Sequence, residues 1–309
     1  MTEGRTIAAW TRAAAFALVL LAALVLAPGR TEAGVSSCSV TSSGIVFSPY
    51  DGQTKAQVDG TGTISVTCTG DGASNGLSLN ITSISGTSCP ATRQMASGTN
   101  TLGYNIYRET GRTNLWCDGG SRFDINMDFT TGATQTQSFP MYGRVFASQN
   151  PIYTTVPYSG SVSISVKRGG ATLASTTATI TGSVAAICSV SAGTLGFGAY
   201  SGAVVNATGA ISVNCSNGAA YQVAMSGGAN HDGASRRMAG PAGGRLAYQL
   251  YRDSGRSLAW GDDSAQLGAR LGGTGSGAAQ SLSVYGRIPA GQTPAAGSYT
   301  DSVVVTIEY

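Results

Sequence analysis

The sequence predicts an all-β protein built as two tandem immunoglobulin-like β-sandwiches, and three observations predict it. Short runs of Val, Ile and Thr alternate with polar residues between Gly/Ser/Asn-rich turns, with almost no sustained helical periodicity. A set of segments recurs in the same order in both halves of the chain. Six cysteines follow an apolar leader, as in a disulfide-stapled exported protein.

Residues 1–33 read as a secretory signal. Arg5 and Arg12 give a basic start, Ala13 to Ala27 an apolar core, and Thr31-Glu32-Ala33 a small-residue cleavage site. That core is short for a membrane span. The mature chain is expected to begin near Gly34, outside the cytoplasm. Only 11% of residues are charged and the net charge is +3, far from the basic balance of a nucleic-acid binder. The mature length suits two sandwich domains better than one.

The first unit, residues 34–170, opens with Cys38-Ser-Val, and the second, residues 188–309, opens with Cys188-Ser-Val. Gly62-Thr-Ile-Ser-Val-Thr-Cys68 matches Gly209-Ala-Ile-Ser-Val-Asn-Cys215, and Leu102-Gly-Tyr-Asn-Ile-Tyr-Arg108 matches Leu246-Ala-Tyr-Gln-Leu-Tyr-Arg252. Gly111 to Trp116 matches Gly255 to Trp260, Tyr142-Gly-Arg144 matches Tyr285-Gly-Arg287, and Val162, Ile164 and Val166 align with Val303, Val305 and Ile307. Six cysteines allow fifteen pairings. The duplication pairs Cys38 with Cys68 and Cys188 with Cys215, each stapling the first strand of its domain to a nearby one. Cys89 and Cys117 occur in the first unit alone and pair by default. Each equivalent bridge closes a loop of roughly 30 residues, worth on the order of 3 kcal/mol in the loop-entropy account.

The ends of the two units differ. After Val166 the first continues through Lys167-Arg-Gly-Gly170 into residues 171–187, where Ala174, Ala178, Ile180 and Val184 alternate with Ser175, Thr177, Thr179, Thr181 and Ser183. That period of two describes a strand with one buried face. Gly169-Gly170 can turn it back onto the first sandwich. After Ile307 the second unit has only Glu308-Tyr309. The expectation is a complete first sandwich and a second one strand short, with Val303, Val305 and Ile307 on the lip of an apolar groove.

Cys188-Ser-Val, Gly196-Phe-Gly198, Gly209 to Cys215, Leu246 to Arg252, Trp260-Gly-Asp262, Tyr285-Gly-Arg-Ile-Pro289 and Gly297 to Ile307 together resemble the spore coat protein U domain, the pilin module of archaic (Csu-type) chaperone–usher pili. The resemblance covers essentially all of the second unit. The first matches more loosely, departing at its extra cysteines, at Pro49-Tyr50 and around Pro151. It implies incomplete sandwiches that polymerise by donor-strand exchange. It also implies a periplasmic chaperone, an outer-membrane usher and an adjacent strand-donating pilin as partners. Only Gly34 to Ser37 precede Cys38 after cleavage, roughly 13 Å of extended chain and too short to donate a strand. A two-domain subunit that accepts a strand and donates none resembles the tip adhesin of these pili. Such a subunit would stand at the pilus tip, attach to abiotic or host surfaces and support biofilm formation.

No enzyme site, cofactor site or metal site emerges. His231 is the single histidine and sits in a Gly/Ala-rich turn; Asp262-Asp263 follow Trp260 in a turn, where an oxygen-ligand cation site is the less favoured reading. Trp116 and Trp260 read as packing residues. Adhesive contacts are expected in loops that differ between the units. The leading candidate is Gln149 to Pro157, with Ile152, Tyr153 and Val156 as hydrophobic contacts, and Ile45 to Tyr50 the weaker second. The rival functions are a monomeric secreted coat or surface protein with both domains complete, and a carbohydrate-binding module.

Overall fold

The structure is a computed structural model and describes residues 35–70, 74–83, 92–116, 123–128, 133–265 and 267–309. The leader and the Cys89–Cys117 pairing lie outside the described residues. The first unit holds β1 (Val35–Ser42), β2 (Ile45–Val46), β3 (Val58–Gly70), β4 (Ser74–Ser83), β5 (Arg93–Ser97), β6 (Asn100–Tyr107), β7 (Phe123–Asp128), β8 (Thr134–Val145), β9 (Tyr158–Arg168) and β10 (Ala171–Gly182). The second holds β11 (Cys188–Ala192), β12 (Val205–Cys215), β13 (Ala220–Met225), β14 (Arg236–Ala239), β15 (Arg245–Tyr251), β16 (Leu271–Thr274), β17 (Ala279–Ile288) and β18 (Val305–Glu308).

In the first unit β1-β3-β8-β6-β5 form one layer and β7-β4-β9-β10-β2 the other, joined at the edge by a single pairing of Ala96 with Ser159. The second unit repeats the first layer as β11-β12-β17-β15-β14. Among the described residues its other layer has only β16-β13-β18. Five strands face five in one copy, and five face three in the other.

The difference starts at a hairpin. Gly169 and Gly170 both hold left-handed backbone (φ 54° and 91°), a conformation that glycine adopts without a Cβ penalty. The chain reverses there, and β10 pairs antiparallel with β9 from Ala171↔Arg168 to Gly182↔Tyr158. On its other side β10 runs parallel to β2, with Ile180↔Ile45 and Thr181↔Val46. Residues 171–182 therefore belong to the first sandwich. The period of two is realised in three dimensions: Ala178, Ile180 and Val184 are buried while Thr177 and Thr179 are exposed.

Each unit has its own core. The first gathers Ile64, Leu102, Tyr104, Trp116, Val162, Ile164 and their neighbours; the second gathers Val213, Val223, Tyr248, Leu250 and Trp260. Disulfides Cys38–Cys68 and Cys188–Cys215 link directly opposed residues of β1 with β3 and of β11 with β12. The duplication extends to polar detail. Arg112 and Arg256, at φ 54° and 55°, donate to the carbonyls of Gly143 and Gly286 and each lie 5.6 Å from a tyrosine ring, Tyr142 and Tyr285. Tyr50 and Tyr200 likewise hold Gln149 and Gln292 through the phenol oxygen.

Candidate functional site

The candidate site is the place in the second unit that β10 occupies in the first. Strand register identifies it: Leu79 and Ile81 of β4 pair with Val166 and Ile164, as Val223 and Met225 of β13 pair with Ile307 and Val305. Val303, Val305 and Ile307 thus stand where Val162, Ile164 and Val166 stand. The first-unit trio is fully buried, at 0% exposure each, whereas all three second-unit residues are only partly buried. The opposite lip shows the same contrast. Ile45, Phe47 and Tyr50 are buried; Leu195, Phe197 and Tyr200 are half-exposed. Leu195 to Phe197 form no strand, because the one strand that pairs with β2 in the first unit is β10.

Between these lips lies an open groove, apolar beside Val303 and Val305 and more polar under the Pro294–Ser298 loop. It comprises two adjoining cavities of about 550 and 640 Å³ that share Leu195, Phe197, Met238 and Tyr299. The first also reaches Val303 and Val305, and the second runs under the Pro294–Ser298 loop. Val304 gives its N–H to the Ser226 hydroxyl and accepts from the Ser226 N–H. Backbone direction alternates along a strand, so Val303, Val305 and Ile307 turn their N–H and C=O groups to the open side. Among the described residues no strand pairs there. The groove therefore offers an apolar floor and one unpaired ladder. It can take an extended chain.

Beneath the groove a polar cluster is buried. Arg236 is fully buried and donates to the carbonyls of Met225, Ser226 and Trp260 and to Gln249 Oε1. Burial pulls its pKa below the usual arginine value, opposed by the nearby Tyr248, Asp262 and Asp301. The Tyr248 hydroxyl donates to Asp301 Oδ2 at 2.7 Å, and burial together with that bond pushes the phenol well above its ordinary range. Asp301 faces the groove, and its other oxygen accepts from the backbone and side chain of Asn230. Arg93 is the first-unit counterpart of Arg236 and reaches the Trp116 carbonyl at 3.3 Å. Neither arginine was anticipated, although Arg93-Gln-Met95 and Arg236-Arg-Met238 carry the signal as a shared Arg-x-Met.

The other sequence candidates fall in different places. The loop carrying Ile152, Tyr153 and Val156 lies at the junction of the two units. The Tyr153 N–H donates to the Asn217 carbonyl, the Tyr153 ring packs on the first core, and the Ile152 side chain lies over Gly218. Ile152 keeps 38% exposure and Val156 65%. Ile45, Phe47 and Tyr50 of the second candidate loop are core residues beside β10, leaving Val46, Ser48 and Pro49 exposed. That candidate is withdrawn: its apolar side chains are spent on packing. His231 folds over Gly227 and accepts from the Gly233 N–H, a turn role. Asp262 caps Ser264, and Asp263 pairs with Arg270. Trp116 and Trp260 are buried. Among the described residues there is no group of three or more His, Cys, Asp or Glu placed to hold a metal.

The fold is thus a duplicated all-β sandwich, closed in one copy and open along a groove in the other. The chain belongs to the Spore Coat Protein U domain family, whose model matches twice, at residues 29–165 and 174–306. It is 34% identical over 145 residues to Protein U of Myxococcus xanthus, covering 41% of this chain and 79% of that relative. Among solved structures it is similar to the CsuC–CsuE chaperone–tip adhesion subunit pre-assembly complex of Acinetobacter baumannii (15% identity, TM-score 0.44, 88% of this chain and 100% of that one). It is also similar to the CupB6 tip adhesin from Pseudomonas aeruginosa (14% identity, TM-score 0.38, 88% and 94%).

Proposed function

We propose that this chain is the adhesive subunit of an archaic chaperone–usher pilus, joined to the fibre by a strand that a neighbouring pilin inserts into the second domain. One observation carries the reading. Of the counterparts of the three alternating residues that β10 seals in the first domain, Val303 and Val305 line an open groove and Ile307 is only partly buried. A periplasmic chaperone would fill the groove during export, an outer-membrane usher would pass the subunit on, and the pilin strand would replace the chaperone. The first domain, already closed, is free to meet a surface and has no need of a donor. Of the junction loop, Val156 with the exposed part of Ile152 remains the proposed hydrophobic contact, because Tyr153 is committed to packing. The work is binding, with no chemical step.

The test is thermal unfolding of the full mature chain with and without a peptide taken from the N-terminal extension of a pilin encoded beside it. The expected result is two transitions, of which only the second-domain transition rises with peptide. Burial of several aliphatic side chains and a strand ladder makes a large rise the expectation, 10 °C or more being about what ~2–3 kcal/mol gives a domain of this size. A chain whose second domain melts cooperatively and ignores every such peptide would leave the other reading, a self-sufficient coat protein. The family's spore-coat description and the likeness to Protein U favour that alternative.

A further inference from the structure

We infer that Asp301 sets which strand the second-domain groove accepts: the incoming strand must carry a hydrogen-bond donor where β10 carries Ile180. This rests on the strand-acceptor reading and specifies the partner. In the first domain Ile180 pairs with Gly160, and both Ile180 and its inward neighbours Ala178 and Val184 are buried. Gly160 carries no side chain opposite Ile180, and a Cβ there would meet the Gln94 carbonyl oxygen and Met95. The equivalent residue in the second domain, two before Val303 as Gly160 is two before Val162, is Asp301. Residues 299–303 and Val305 all line the cavity, Asp301 among them.

A carboxylate has about four acceptor sites on its two oxygens. Asp301 uses three, one for the Tyr248 hydroxyl and two for Asn230. Among the described residues no cation is paired with it, and the neighbouring Arg236 gives its N–H groups to carbonyls and to Gln249. A strand laid in the groove removes the water that serves the remaining site. An aliphatic side chain there strands a buried charge; a Thr, Asn or Lys side chain supplies the fourth bond. The two grooves of one chain thus take different strands. β10 fits the first and is disfavoured by the second, which biases copies of this chain against linking to one another through β10.

The test uses the mature full-length chain, in which the first groove is already filled, and labelled synthetic peptides of residues 171–187. The wild-type chain is expected to bind the Ile180→Thr peptide about tenfold tighter than the unaltered one, the scale of one unsatisfied buried polar group. In a D301G chain the order should reverse in favour of the unaltered peptide. A D301N chain, which keeps the side-chain shape and loses the charge, should show the preference shrunk towards equality. Should both peptides bind with one ranking in all three chains, the role of Asp301 is overturned while the groove stands. Should no peptide bind any of the chains, the acceptor reading itself is overturned.

Discussion

Arg93 and Arg236 stand on the inner faces of the equivalent hairpins β5–β6 and β14–β15, yet they are not equally committed. Arg236 is fully buried and holds three carbonyls from two segments of the second domain, including the one that follows the Trp260 ring. Among the described residues Arg93 reaches a single carbonyl, at a longer distance. Replacing Arg236 by Met leaves those carbonyls without donors, a loss of about 3 kcal/mol or more, while Arg93→Met should cost the first domain less. Differential scanning calorimetry of the two transitions measures both. Equal losses would show that burial, not carbonyl pairing, sets the cost. The tryptophans beside these arginines were legible from their matched positions in the repeat. The arginines were not, because a charged residue in an alternating run reads as outward-facing, and only the shared Arg-x-Met betrays the inward turn. Asp301 was hidden differently: in sequence it interrupts an apolar alternation, and its meaning depends on facing the groove.

At the scale of elements, β10 was the most legible part of the chain and its partner segment the least. Its hydroxyl/apolar alternation fixes which face is buried, and Gly169-Gly170 fixes the reversal. What no periodicity shows is that β10 lies between β9 and the two-residue β2, so that its absence in the second domain also unpairs Leu195 to Phe197. The same concealment affected Ile45 to Tyr50, where a short apolar loop and a short buried strand look alike in sequence. Gly44 makes the closeness of this seam measurable. It holds left-handed backbone at φ 69°, and a Cβ there would meet the Thr179 carbonyl oxygen of β10 at 2.1 Å. Backbone, not a flexible side chain, would have to move. Gly44→Ala is therefore expected to destabilise the first domain by about 2 kcal/mol and to expose residues 171–187 to protease. Intact resistance of that segment would mean that β10 is held without its contact to the segment after β1.

At the scale of the molecule, the junction decides whether a pull on the first domain reaches the groove of the second along one body or through a hinge. The Gln53 side chain donates to the carbonyls of Ile187 and Asn214, beside the Cys188–Cys215 bridge. Asn150 donates to the Ser276 carbonyl and its own carbonyl accepts from Asn217, so loops of both domains interlock next to Ser216, which bonds Ala185 and Ile187 of the linker. This is why the loop that differs most between the copies is not simply a free adhesive tip: part of its divergence serves the neighbouring domain. Sequence comparison of the two copies cannot separate those uses, since either one makes a loop unlike its twin. Gly277 sits at the closest point, with φ 73° and a would-be Cβ only 1.9 Å from Asn150 Oδ1. Gly277→Val should displace the Asn150 side chain, break its bond to the Ser276 carbonyl and so loosen the junction. Gly291→Val is the matched control, since it has similar left-handed backbone (φ 82°) and nothing within 4 Å of its Cβ. Small-angle scattering of the mature chain should show a larger radius of gyration for the first variant than for the second, with both domains still folded. Identical radii would mean that the interlocking loops do not hold the domains together, and that load passes through the linker alone.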